Sequence, residues 1–377
     1  MRSGYMLPVS RWVANPRTQD DFDCEAQMTD PAERSGGVGH SGVSASVVIA
    51  AFTFDRWDNI VKAVDSIQAQ TRPPVELILI IDRNPKLFEA CRQRWGSADL
   101  AVPVKVMASE NAPAPRVVTE ANTDGVARGY SGGSARNSGA EAAIGDVVVI
   151  TDDDAWAEPD CLAYLLAPYD DPAVIAVGGR PVPEYETGRP SWFPGSFDWI
   201  MGCAYDGLPT VLAPTPRLIG AIMSFRSEAF RAIGGIKSSD FDDLDLCTRV
   251  AFAHPNSSIM FEPRAVVHHF VPAKRVSWNY FWTRNFLVNR DKVRAFASMG
   301  DAASLRAELN FVTRTIGRQS FSAARGLFNG RPEGLVQLGA AIAGIGLAGI
   351  GNAVGRVQLR REQSRPGAVY ELQAGPS

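Results

Sequence analysis

The feature that most restricts this chain is the run Asp146–Asp154, DVVVITDDD, in which four consecutive apolar residues lead almost at once into three consecutive acids. An unbroken apolar run of this kind reads as a strand buried on both faces, as in parallel sheets. Acids at its carboxyl end then lie where open α/β sheets bind ligands. Desolvating several unpartnered carboxylates is expensive and raises some of their pKa values, so a divalent cation is the economical partner. Alternate residues of an extended backbone share a side, so Asp152 and Asp154 can face one site while Asp153 points elsewhere. Two or three oxygen ligands suit Mg2+ or Mn2+ better than zinc. The alternative is a solvated turn that uses the acids for local hydrogen bonds, and the position directly after the strand weighs against it.

The surrounding pattern extends the α/β layout. Ser46–Phe52, SVVIAAF, and Val75–Ile81, VELILII, read as buried strands. Between them Ile60, Ala63, Val64 and Ile67 recur at helical spacing within Arg56–Gln70, and Arg72-Pro73-Pro74 stops the helix. Strand, helix, strand is the parallel crossover unit. Helices are expected at Leu87–Trp95, Ser134–Ile144, Pro159–Leu166, Phe225–Ile233 and Leu244–Phe252, with weaker strands at Val102–Met107 and Val174–Val177. The whole predicts an α/β fold with a mostly parallel central sheet and flanking helices. The Pro- and aromatic-rich stretch Pro181–Pro216 reads as a functional loop region that touches substrate, with a packed irregular cover as the alternative.

Composition narrows the partners. The 38 Lys and Arg against 41 Asp and Glu leave a net charge of −3, so no global basic field draws in nucleic acid, and an anion site must be local. Five scattered cysteines without a CxxC indicate neither a disulfide framework nor a thiolate zinc site, and read as reduced thiols of a cytosolic domain. The first residues lack the apolar core of a secretory signal and read as a loose leader over residues 1–44.

Other strand ends suggest what a metal would hold. Thr53, Asp55 and Arg56 follow the first strand, Asp82 ends the second, and Ser134–Asn137 opens a helix whose free N–H groups can face phosphate, with Arg136 adding charge. Structural turns or ion pairs are the plainer explanation for Asp82 and Arg136. Neither GxGxxG nor GxxxxGK[ST] occurs. Gly129-Tyr130-Ser131-Gly132-Gly133 matches the GxSxG elbow of serine hydrolases, with acids near Asp243 and then His268 or His269 in hydrolase order. An elbow needs a strand directly before it, whereas residues 122–128 are polar, so a glycine-rich loop is preferred.

Taken in order, SVVIAAFTFDR, LIIDRN, SGGSARNSGAEAAIGDVVVITDDDAWAEPD, RLIGAIMSFRSEAFRAIGG and FDDLDLCTR resemble successive motifs of the family-2 inverting glycosyltransferases. The resemblance spans about residues 44–295. It implies a GT-A fold enzyme in one nucleotide-sugar domain, residues 45–295, with a nucleotide-binding half (45–155) and an acceptor half (156–295). By the resemblance, Thr53 and Asp55 form the first nucleotide-contacting turn, Asp82 contacts uracil, and Arg136 is the basic group after the glycines. Asp152 and Asp154 match the metal and diphosphate motif, with Asp154 the preferred direct ligand and His269 the histidine near the metal. Asp243 takes the place of the catalytic base beside Asp242, where the family commonly has Glu-Asp, and Asp245 leaves some ambiguity. Asp82-Arg83 also departs from the family's Asp-Asp. The cofactor implied is Mn2+ or Mg2+, with a nucleotide sugar as donor, UDP-linked by the resemblance. A non-catalytic nucleotide-sugar-binding module is the runner-up, although it has no need of the second acidic pair.

A narrower likeness is to a prokaryotic branch that includes glucuronosyltransferases acting on lipid-phosphate-linked sugars. It leaves UDP-glucuronate, UDP-glucose and other donors open and implies a lipid-linked or polysaccharide acceptor. Gly334–Gly355 agrees with a lipid acceptor, since its only strongly polar side chains are Gln337 and Asn352, and 22 residues just suffice to span a bilayer. Its glycines equally suit close helix packing. The expected organisation is completed by a helical extension at 296–333, a possible membrane helix at 334–355 and a flexible tail at 356–377, with the catalytic domain at the cytoplasmic face of the membrane. His268 is expected to be structural, while Arg275 and Arg284 close over phosphate or acceptor, or simply pack.

Overall fold

The computed structural model describes residues 42–109, 132–237, 242–297 and 333–363, with scattered positions between 313 and 325. The expected leader, most of the helical extension, the last residues of the tail and most of the GxSxG loop lie outside the described residues.

Three strands, β1 (Ala45–Ala51), β2 (Glu76–Asp82) and β4 (Val147–Asp152), are apolar along nearly their whole length because both faces are covered. With β3 (Val104–Ser109) they form a parallel block in the order β3-β2-β1-β4. On one face, Val47, Ile49 and Leu79 pack with α1 (Trp57–Gln68), α2 (Pro85–Trp95) and α4 (Cys161–Leu166) through Ile60, Val64, Leu87 and Leu162. On the other face, Val48, Ile80 and Val148 pack with α3 (Gly132–Ala142), α5 (Ser227–Ala232) and α6 (Asp242–Ala253) through Ala135, Phe230 and Val250. Gly139 lets α3 sit directly on Val48 and Ile80, where any Cβ would collide.

Beyond β4 the sheet changes character. β8 (Ile222–Arg226) joins β4 antiparallel, β6 (Val174–Tyr185) joins β8 antiparallel, and β9 (Ser258–Val271) runs parallel to β6. β5 (Ala155–Ala157) and β7 (Ala213–Pro214) add two antiparallel pairings to β9. Four parallel and four antiparallel pairings make the sheet mixed, which corrects the expectation of a mostly parallel one. The reason is physical: the first half is built of apolar crossover units, whereas β8 returns antiparallel between β4 and β6, and β8 and β9 carry Ser224, Arg226, Glu262, Arg264 and two histidines.

A third cluster caps this second half. Phe193 and Phe197, from the stretch expected to be a substrate-contacting loop region, are fully buried with Phe281 of α7 (Trp278–Ala297) and Ala341 of α8 (Glu333–Gln363). These residues of the stretch are therefore core, as the packed alternative has it.

Candidate active site

Register brings the strand ends together. Ala50 of β1 pairs with Asp152 of β4, and Ala51 pairs with Ile81 of β2, so Thr53, Asp82 and Asp152 share one edge of the parallel block. Ala155 pairs with His269, and the Phe270 N–H donates to the Asp154 carbonyl at 2.9 Å, so the long antiparallel strand delivers a histidine to the acids. The alternation over His268–Val271 turns His269 inward and leaves His268 half-buried.

His269 Nε2 lies 3.2 Å from Asp154 Oδ1 and 3.8 Å from Asp152 Oδ2, and one ligand atom from each residue falls within 4.8 Å of the others. Gly202 (φ 75°) sits over this ring, where a Cβ would come 3.2 Å from His269 Cε1. The other ring nitrogen, Nδ1, faces Cys203 Sγ at 3.5 Å, which orients the imidazole with Nε2 toward the carboxylates. Two carboxylates and an oriented imidazole on a buried edge fit a divalent cation of the Mn2+ type. Burial opposes charge on His269, but Asp154 and then Cys203 raise its pKa well above the ordinary value. Burial likewise opposes charge on Asp154, yet His269, Arg56 and Arg275 hold it below the usual carboxylate range.

The middle acid does point elsewhere. Asp153 receives Arg56 Nη1 at 2.6 Å, and the same guanidinium reaches Asp154 at 3.1 Å. Burial pushes Asp153 up to about 7 against the pull of Arg56. Arg136, on the first turns of α3, donates to Asp152 Oδ1. Asp82 is buried at the end of β2; its Oδ2 accepts from Arg83, while Oδ1 has no partner among the described residues. Arg83 holds φ 49°, the only non-glycine in the left-handed region among the described residues. Thr53 caps a single 3-10 turn by accepting from the Asp55 N–H at 3.2 Å, and Asp55 is exposed.

Asp243 faces the metal edge from across a pocket lined by Arg136, Asp152, Trp199, Arg217, Asp243 and Arg284, among others. It stands at the N-terminus of α6, where its Oδ1 accepts from the Leu244 N–H at 2.8 Å and its Oδ2 from Arg217 at 3.0 and 3.2 Å. Asp242 opens α6; its side chain and that of Asp245 lie outside the described residues. His268 stacks on Trp156 and lies 3.4 Å from Glu158, away from this ring, as befits a structural residue. Sequence reasoning missed Arg217, Cys203 and the pairing of Arg56 with Asp153. Arg217 opens the RLIGAIMSF motif, the one signal that pointed to it.

The glycosyl transferase family 2 pattern matches residues 127–234, a stretch that includes Arg136, Asp152, Asp154 and Arg217. A glucosyl-dolichyl phosphate glucuronosyltransferase of Haloferax volcanii is 28% identical over 254 residues, which are 65% of this chain and 74% of the relative. A mannosyltransferase from Pyrobaculum calidifontis, solved with GDP-mannose and Mn2+, shares the fold with a TM-score of 0.51 at 18% identity, covering 84% of this chain and 88% of its own. The match falls on the strand that carries Asp152 and the helix that carries Arg136, and it supports a class: the chain is a glycosyltransferase similar to those of family 2. Such an enzyme binds a nucleoside-diphosphate sugar and transfers the sugar to an acceptor.

Proposed function

We propose that the chain is an inverting glycosyltransferase that uses a UDP-sugar and a divalent cation to glycosylate a hydroxyl of a lipid-linked or polysaccharide acceptor. The observation that carries this reading is a pocket lined by both Asp152, of the Asp152–Asp154–His269 ring, and Asp243. The ring suits a departing diphosphate and Asp243 an attacking hydroxyl.

Residues 45–155 then form the nucleotide half and 156–295 the acceptor half. Thr53, Asp55 and Asp82 bind the nucleoside, and the unpartnered Oδ1 of Asp82 supports a hydrogen bond from the base. Mn2+ or Mg2+ held by Asp154, Asp152 and His269 supplies Lewis-acid charge for the diphosphate. Arg136, anchored on Asp152, adds a fixed positive group, while Cys203 keeps His269 in its orientation. Asp243 takes the acceptor proton as the hydroxyl oxygen bonds to the anomeric carbon. The bond from that carbon to the phosphate oxygen breaks, the nucleoside diphosphate leaves, and the configuration inverts. Both Asp243 oxygens already accept hydrogen bonds, but an ionised carboxylate keeps lone pairs for the acceptor hydroxyl. Asp242 orients the acceptor.

The Haloferax volcanii relative supports a glucuronate donor and a lipid-phosphate acceptor. Among the described residues Cys91, Cys161, Cys203 and Cys247 are buried thiols outside any disulfide, which supports a reducing compartment and action at the cytoplasmic face of a membrane. A donor screen with membrane lipid extract, following nucleoside diphosphate release and glycolipid mass together, tests the proposal. Release matched by a lipid mass increase of one sugar is expected. Release without any new glycolipid or polysaccharide would reject the acceptor class.

A further inference from the structure

The helix α8 is apolar enough to cross a membrane, with an 18-residue stretch of mean hydropathy 1.7, of which only 22% is buried. It is therefore no core helix of a soluble domain. Its buried side packs mainly on α7 and, near its start, on Phe197. Cβ atoms at Gly351 and Gly355 would run into the carbonyl oxygens of Phe286 and Arg290, and one at Gly344 would come 2.9 Å from Asn285 Nδ2. Contacts advance in the same order along both helices, so they lie side by side and run in the same direction. Ala341 joins the Phe197–Phe281 cluster, and Gln337 donates to the Ser191 carbonyl at 2.9 Å.

The α7 segment gripped in this way contains Asn285, Asn289, Arg290, Asp291 and Lys292. Were α8 to span a bilayer while holding α7, those side chains would enter hydrocarbon. Each charge at the bilayer centre costs about 2.5–3.5 kcal/mol even by the mildest scale. Were α8 to leave α7 in order to span, it would strip the cover from Phe197 and Phe281. Neither cost arises if α8 stays docked and only its outer side meets lipid. That side exposes Leu335, Val336, Ile342 (55%), Ile350 (57%) and Val357. Among its exposed positions none is charged between Leu335 and Ala353, and exposed Arg356, Arg360 and Arg361 follow at the end. An uncharged apolar strip closed by a basic cluster is complementary to the acyl boundary and anionic headgroups of a membrane surface.

We infer that α8 lies in the plane of an anionic bilayer surface, its outer apolar side in the acyl boundary and its inner side on α7, and does not span. The inference deepens the membrane association proposed above and rests on it. Because α7 also supplies Arg284 to the pocket, the same helix pair joins the lipid surface to the site.

The test uses the full chain with preformed phosphatidylcholine and phosphatidylglycerol vesicles. In a Cys24→Ser background, nitroxides are attached to cysteines introduced by Leu335→Cys, Ile342→Cys, Ile350→Cys and Val357→Cys. An in-plane helix puts all four at one shallow depth, about 5–10 Å into the headgroup and acyl boundary. A spanning helix would spread them over about 33 Å, and that spread would overturn the inference, as would four water-exposed labels. The paired variant Ile342→Glu with Ile350→Glu should cut vesicle flotation at least tenfold and leave donor titration unchanged. Unchanged flotation, with a dimer converted to monomer in sedimentation, would assign the strip to a second copy and overturn the membrane reading. Donor titration fails separately if the glycosyltransferase site itself is misread.

Discussion

At the residue scale the roles of the acids separate by what each touches. Asp243 is held by Arg217 and by the Leu244 N–H, so its carboxylate is fixed before any acceptor arrives. Asp243→Asn should reduce transfer by about 10²- to 10⁴-fold, the usual loss of a general base, with circular dichroism and donor affinity unchanged. Asp242→Asn should be milder in the same single-turnover assay, and a reversed order would move the base to Asp242. Asp153→Asn leaves Arg56 with one carboxylate in place of two, so its main effect should be on melting temperature and only weakly on turnover. These distinctions were partly legible. Alternation along an extended backbone separates Asp153 from Asp152 and Asp154, and the acids' position after VVVI marks a strand end. Arg217 was not legible as a partner of Asp243, because 26 residues of chain separate them and only the fold closes that gap.

At the element scale, the parallel block could be read directly because strands buried on both faces become unbroken apolar runs. β8 and β9 could not, since IMSFR is short and β9 mixes Glu262, Arg264, His268 and His269 into its pairing surface. Missing them turned a mixed sheet into a mostly parallel one. The 3-10 helix Gly195–Met201 carries a different risk, a buried acid. Asp198 accepts both terminal nitrogens of Arg189 at 2.9 and 3.0 Å and the Tyr185 hydroxyl at 3.1 Å. Burial pushes Asp198 up to about 6, with Arg189 pulling back. The folded value lies above that of the unfolded carboxyl, about 4. Its contribution to stability is therefore complete below pH about 4 and is lost as pH rises through about 6. Denaturant midpoints of the wild type minus those of Asp198→Asn should fall across that window, and a flat difference would refute the shift. Arg189→Met should destabilise by about 1–3 kcal/mol, because it leaves a buried acceptor short of its partner.

At the scale of the whole molecule, the fold divides the labour between two unlike halves of one sheet. The parallel block sets out a row of strand ends, to which we assign the nucleotide, while the mixed half turns back to deliver His269 to that row and α7 to the pocket. Gly355→Val should loosen α8 from α7 by about 1–3 kcal/mol through overpacking, seen as faster amide exchange across α8 with donor binding intact. The central claim is that Asp152, Asp154 and His269 together hold a cation that holds the donor. Calorimetric titration of a UDP-sugar, with and without Mn2+, on the wild type and on Asp154→Asn addresses it without any acceptor. Donor binding should require Mn2+ in the wild type and be weakened at least tenfold in Asp154→Asn. Equal donor affinity in both proteins after exhaustive chelation, with metal content measured as negligible, would contradict it.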